Sequence, residues 1–237
     1  MSHGNIIIER TLGEAFKKYR IQTGAKSSSS VEANSTAEGI NNVATGLVSH
    51  AEGAETQALG VTAHSEGYGT QALADYSHSE GLSTEARGIV SHAEGGATIA
   101  EGPYSHTEGQ NCSTTIEALW AHAEGVNTVA LAMATHTEGN GTIAASYCQH
   151  VQGQFNLVDE ETKYVHIVGK GADDDNRSNA HTLDWNGNAW FAGAVLTGGE
   201  SMDDENAELL ITSGVLTKLL NKLSEKGIEI SIDELLS

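Results

Sequence analysis

The sequence predicts an all-β protein, a parallel β-roll or flattened β-solenoid built from coils of 14 residues. Three observations carry this. Histidines recur at a fixed interval: His50, His64, His78, His92 and His106 are 14 apart, and after a two-residue insertion the series resumes at His122, His136 and His150. Glutamates track them at Glu38, Glu52, Glu66, Glu80, Glu94, Glu108, Glu124 and Glu138, with Thr36 holding the first histidine slot and Gln152 ending the glutamate row. The composition suits a thin, repetitive interior: 5% of residues are aromatic, one is proline and 27 are glycine, too few large apolar side chains for a thick core.

Residues 1–34 are expected to form an N-terminal attachment helix and a serine-rich linker. In "NIIIERTLGEAFKKYR" a short strand precedes an amphipathic helix whose apolar positions are Ala15, Phe16 and Tyr19, and "TGAKSSSSVEANS" reads as a flexible tether. Five of the 12 basic residues (Arg10, Lys17, Lys18, Arg20, Lys26) lie before residue 27, so this end is locally basic on a chain of formal net charge −20. A small basic element on a tether suits docking onto another component of an assembly.

Residues 35–154 are the roll. Small residues two apart share one face of a strand, so Ser49 and Ala51 point inward together, as do Thr56 and Ala58. The second pair recurs at Thr70/Ala72, Thr84/Ala86, Thr98/Ala100, Thr128/Ala130 and Thr142/Ala144. Glycine after each strand, Gly53 and Gly60 in this coil, is expected to supply the positive φ of a tight turn. About eight or nine coils at roughly 4.8 Å each make a roll on the order of 40 Å long.

The two outward faces differ. On the second strand the outward residues drift: Gln57/Leu59, Gln71/Leu73, Glu85/Arg87, Ile99/Glu101. On the first they are His and Glu almost throughout. A face that keeps its residues along one chain implies a repeating partner, and the simplest is another copy of the chain, because a thin roll needs neighbours to bury a continuous face. The expectation is a homotrimer with the histidines as a stacked ladder at its interface, each hydrogen-bonded to the glutamate of its own coil or of a neighbouring subunit. Three histidines converging on a threefold axis would offer a metal site. The row has no CxxC, HExxH or HxH spacing, however, and neither metal nor cofactor is expected. The inward parity of the threonines argues against ice binding.

Residues 155–199 are expected to be a β-rich capping region. "KYVHIVGKG" reads as a strand, "ADDDNRSN" as a polar loop, and "HTLDWNGNAWFAGAV" as a hairpin turning at Asn186-Gly187. Trp185, Trp190 and Phe191 are expected to cap the open end of the roll or to offer a stacking platform for sugars. Asp173, Asp174 and Asp175 lack the ligand spacing of an EF-hand and read as a solvated charge run. In residues 200–237, Leu209, Leu216 and Leu223, with Leu219 and Leu220 beside them, suggest a short helix suited to three-stranded packing, and Ile228, Ile230 and Ile232 a closing strand.

The charge disfavours nucleic acid and anionic membranes as partners, and neither a signal peptide nor a membrane-spanning segment is expected. Cys112 and Cys148 read as free thiols of a protein folded in a reducing compartment. No nucleophile–base pair or phosphate loop stands at usable spacing, so no enzyme is expected.

The glycine-punctuated units resemble the YadA-like heads of trimeric autotransporter adhesins, which are trimers of left-handed parallel β-rolls. The "SHAEG" wording, followed by "QHVQGQFN", "KYVHIVGKG" and "RSNAHTLDWNGNAWFAGAV", is more similar to phage tail-fibre and appendage proteins of Gram-positive bacteria. There such a roll leads into a region related to the autoproteolytic intramolecular-chaperone domain of appendage spikes. The resemblance covers roughly residues 35–199. It implies a structural virion protein: a trimeric fibre, appendage or head-fibre component, assembled in the host cytoplasm. Its N-terminus would join another virion component, and its partner at the host would be a cell-surface glycan. The alternatives are a self-cleaving appendage protein, with polar residues of the 173–181 loop assisting, and a fragment of a trimeric bacterial surface adhesin.

Overall fold

A computed structural model describes residues 34–193 continuously. Outside them it describes Ile7–Arg10, Tyr19–Thr23, Ser30–Val31, Leu196–Gly198 and Ala207–Leu209 as strands, together with positions 222, 223, 225 and 226. The chain forms two compact units, residues 1–190 and 191–237. The first is an all-β parallel solenoid, as the periodicity predicts. One strand of each coil joins a long sheet and the other a short sheet of nine strands. Register is strict: His50 pairs with His64, His64 with His78, His78 with His92, and so on to His150. On the other side Gln57 pairs with Gln71 and Gln71 with Glu85.

The alternation of small residues explains this architecture. Ala51, Ala58, Thr56 and Ser49 of one coil are all buried, as are their counterparts above and below. The interior is therefore one side chain thick. Several of its hydroxyls bond across the gap or to nearby carbonyls: Ser65 meets Thr70 and Ser79 meets Thr84 at 2.8 Å, while Thr84 donates to Glu80 O at 3.0 Å.

Two buried amides mark the ends of the threonine column. Asn42 takes the threonine slot in the first coil: its Nδ2 donates to the carbonyl of Gly53 at 3.0 Å and also to that of Glu38, and its Oδ1 accepts from Thr56 N at 3.0 Å. Asn156 takes the same slot at the far end, where its Oδ1 accepts from Ile143 N at 2.8 Å and its Nδ2 donates to Ile143 O at 3.0 Å. The amide pairs with the last strand of the short sheet, Ile143–Ala144, as a further strand would, so that sheet ends with its backbone satisfied.

The glycines divide into two kinds. Gly81, in the first turn, has φ +104, as expected of a turn residue. The second glycine of the coil is not at positive φ. Gly60 and Gly88 are required by close approach: a Cβ there would lie 1.9 Å from Ala74 O and 2.2 Å from Gly102 O. The left-handed residue of the second turn instead carries a side chain, bulky at Val48, Tyr76, Val90, Tyr104 and Trp120 (φ 57 to 60) and smaller at Thr62, Ala134 and Cys148. Its conformation is held from the adjacent coil: Tyr76 N donates to Val61 O at 2.8 Å and Tyr104 N to Ile89 O at 2.9 Å.

The solenoid runs beyond the stretch read as repeats. Strand Tyr164–Lys170 pairs in parallel with His150–Gln154, matching His150 with His166 and Gly153 with Gly169. Asn179–Asp184 then turns back antiparallel, and the hairpin at Asn186-Gly187 leads to Ala189–Phe191. Asp184 fixes that turn by accepting from the backbone N–H of Asn186 at 2.9 Å and of Asn188 at 2.8 Å. At the other end Tyr19–Thr23 pairs in parallel with Thr36–Ile40, and Ser30–Val31 opens the short sheet. Tyr19 is thus in a strand rather than on the expected helix, while Ala15 and Phe16 lie outside the described residues. In the second unit Leu196–Gly198 pairs antiparallel with Ala207–Leu209, so the expected helix does not begin at Leu209. Leu223 is helical, and Leu216, Leu219, Leu220, Ile228, Ile230 and Ile232 lie outside the described residues.

The glycine geometry makes a prediction. Gly81→Ala places a Cβ 2.3 Å from Gly95 O in a left-handed conformation and should lower unfolding stability by more than about 2 kcal/mol. Gly96→Ala, with open space around its Cβ, should change stability by less than about 1 kcal/mol. Urea unfolding of both variants measures the difference.

Candidate functional site: a histidine–glutamate row and an apolar ridge

The long sheet alternates strictly, so the residues between the inward Ser, Ala and Thr point out together. His50 through His150 stack into a continuous column with ring centroids 4.6 to 5.0 Å apart, the strand spacing itself, and planes within 24° of parallel. His166 and His181 prolong it as tilted rings, at 5.3 and 5.5 Å from the preceding ring. The sequence reading missed these two. The signal was present, since His166 follows His150 by 16 residues, the spacing of His106 and His122, with Gly169 in the usual place.

The glutamates form a parallel row beside the rings: Glu38, Glu52, Glu66 and Glu80 are direct register partners and line a groove of about 500 Å³. For most rungs the imidazole's neighbour is the glutamate one coil earlier rather than its own. Nε2 of His92 lies 3.4 Å from Glu80, that of His106 3.1 Å from Glu94, that of His122 3.3 Å from Glu108, and that of His150 3.4 Å from Glu138. The contacts of His106 with Glu94 and of His136 with Glu124 are aligned as hydrogen bonds. In His50, His64, His78, His92, His122 and His150, Nε2 is shielded from water without an aligned partner.

Stacking like groups at 4.7 Å has an electrostatic consequence. Burial, and next the adjoining imidazoles, hold His64, His78 and His122 below the ordinary histidine range, and the same causes act on His166. The adjoining carboxyl groups of Glu108 and Glu124 interact, which raises Glu124 above the usual carboxylate range and lowers Glu108 below it.

A second feature runs along the edge of the roll. The bulky left-handed residues Val48, Tyr76, Val90, Tyr104 and Trp120 are 42 to 59% exposed, and Leu47, Ile89 and Tyr147 beside them are equally open. They sit two or three residues before His50, His78, His92, His106, His122 and His150, so the ridge borders the histidine face on these coils and is interrupted at Thr62 and Ala134. On the opposite border Ile40, Tyr68 and Leu82 are also exposed and share a register column. The sequence reading did not single these residues out, because turn positions carry no strand alternation to betray them.

The other candidates are placed as follows. Trp185, Trp190 and Phe191 are 52, 54 and 48% exposed; the end of the interior is filled by Val151 and Ile167, with Tyr164 packed against them. A polar network completes that end: Gln149 Nε2 donates to Asp159 Oδ2 at 3.1 Å and to Tyr164 O at 2.9 Å. Asp173 closes its own loop by accepting from the backbone N–H of Asp175 and Asn176, and Asp174 pairs with Arg177. Cys112 and Cys148 are both free, and Cys112 occupies a threonine slot of the interior. Among the described residues, no helix is long and apolar enough to cross a membrane. No protein-family model and no curated protein sequence matches the chain.

The depressed imidazoles fix a direction of pH dependence. A base whose folded pKa lies below its unfolded value of about 6.5 resists protonation only in the folded state. Folding is then fully stabilised above about pH 6.5 and weakens as pH falls below it toward the depressed values of His64, His78, His122 and His166. The melting temperature should fall steadily from pH 7.5 to 5. A flat or rising profile across that window would contradict the stacked arrangement.

Proposed function

We propose that this chain is a structural rod of a phage particle: a homotrimeric fibre, appendage or head-fibre component that takes part in host attachment and turns over no substrate. The observation that supports this best is the apolar ridge. A chain of net charge −20 exposes a bulky apolar residue on four successive coils, at Tyr76, Val90, Tyr104 and Trp120, and such a repeated apolar edge marks an interaction surface. The ridge repeats at the coil spacing. A second copy of the chain has the same repeat, so copies laid side by side meet in register along their whole length. Three such edges turned toward one axis would also draw the histidine faces together, which is where the homotrimer reading places them.

The resemblance of the "SHAEG" coils and of the segment after them to phage fibre and appendage proteins supports the virion setting, with assembly in the host cytoplasm. In this reading the basic N-terminal residues join another virion component. Trp185 and Trp190, half exposed at the hairpin, suit stacking against the sugar rings of a host surface glycan.

Light scattering on the purified chain at micromolar concentration should give three times the 24.8 kDa chain mass. Replacing Tyr104 and Trp120 together by Asp should shift the mass to that of a single chain, and Gln71→Asp on the opposite face should leave the trimer intact. A monomeric wild type, or a double variant that still trimerises, would defeat the reading.

A further inference from the structure

We propose that the histidine–glutamate row binds divalent transition-metal ions of the zinc class, each held by two successive imidazoles and the carboxylate between them. The donor sets are on the outward face of the long sheet. Nδ1 or Nε2 of His78 and of His92 and a carboxylate oxygen of Glu80 all lie within 4.8 Å of one another, and the same is true of His92, Glu94 and His106, and of His136, Glu138 and His150.

A further observation points to a ligand. The Nε2 atoms of His78, His92 and His150 are shielded from water and have no aligned hydrogen-bond partner, although each has a glutamate oxygen 3.4 to 4.0 Å away. Such nitrogens are costly to leave unsatisfied and are satisfied by a cation placed between ring and carboxylate. The imidazoles stack face to face with parallel in-plane lone pairs, so two neighbours reach one ion only when their rings turn out of the stack toward the glutamate row.

The chemistry of the donors selects the ion. Two imidazole nitrogens and one carboxylate suit zinc or its neighbours rather than calcium or magnesium, which take oxygen ligands. Tetrahedral zinc holds its donors about 3.3 Å apart at bonds of about 2.0–2.1 Å, so the triad must close inward by roughly 1 Å, through rotation of the two imidazoles as well as of the glutamate. The rings and carboxylates are each about one third exposed at the side chain, which leaves an approach from solvent and a fourth position for water.

Neighbouring triads share a histidine, so they fill alternately. The eight rings from His50 to His150, taken two per ion, hold at most four ions per chain. Alternate filling also keeps successive ions about 9 Å apart, which moderates their repulsion. The spacing explains why a scan for metal motifs passes over the row: the ligands stand at i, i+2 and i+14, brought together only when the chain completes a coil.

The test uses the full untagged chain, incubated with zinc chloride at pH 7.5, freed of unbound metal by gel filtration and assayed for zinc by mass spectrometry. Between one and four zinc ions per chain should be retained. His92→Gln, which removes a donor from two adjacent triads, should lower the retained zinc by about one ion per chain. Glu80→Gln with Glu94→Gln keeps the stacked rings and the side-chain volume, and should do the same if His92→Gln proves unstable. Gln71→Ala should retain the wild-type amount. No zinc retained by the wild type, or retention unchanged in the glutamate double variant, would overturn the proposal. The mass of each sample separates this outcome from that of the trimer reading, since a zinc-loaded monomer or a zinc-free trimer defeats one and not the other.

Discussion

Everything in this molecule follows from how closely one coil rests on the next. Gly60 stands so near the coil above that a single methyl group would fall 1.9 Å from Ala74 O, and Gly88 is as tightly placed against Gly102. Two such surfaces have one way to stack, and it is in register. Register then sets the interval at which each residue type recurs in space: alanine over alanine inside, imidazole over imidazole and carboxylate over carboxylate outside, bulky residue over bulky residue at the turn.

The same constraint limits how the fold is stabilised. An interior one side chain thick buries mostly Ala, Ser and Thr, so it removes little apolar surface from water per coil. Repetition makes up part of the difference, because each added coil contributes a further set of inter-coil hydrogen bonds, including those that hold Tyr76 and Tyr104 in a left-handed conformation. Each such conformation costs on the order of 1–2 kcal/mol for a residue with a side chain. That a bulky residue stands there repeatedly, where glycine would relieve the strain, indicates that the side chain does something outside the coil. The self-association proposed above would account for it.

The coil length, the inward parity, the constancy of the His/Glu face and the Asn186-Gly187 hairpin were legible in the sequence because each is a repeat or a local signal. What escaped was set by contacts between coils. Nothing local distinguishes Gly81, kept for its φ as well as its nearness to the next carbonyl, from Gly88, kept for nearness alone. His166 belongs to the ladder although its coil has 16 residues, because length is absorbed in the turn while register is kept in the strand. Asn156 looks like a polar substitution for threonine until the end of the column shows its amide in a strand's place. Tyr19 fits a helical pattern, and the first repeat strand captures its segment as a neighbour instead. The glutamate partner of each histidine was sought in its own coil, and the diagonal across coils brings the preceding one nearer.

The central claim, in-register stacking at a 14-residue interval, is tested most directly by cysteine pairs on the drifting outer face, with Cys112→Thr and Cys148→Ala as background. Gln71 and Glu85 are direct register partners in adjacent parallel strands, whereas Gln71 and Ile99 are separated by a strand. Cα atoms one strand apart, at about 4.8 Å, are within disulfide reach, and those two strands apart are not. Mild oxidation of Gln71→Cys/Glu85→Cys should give a quantitative disulfide within one chain, and Gln71→Cys/Ile99→Cys should stay reduced. A disulfide in the second pair, or none in the first, would show that the coils do not stack as described.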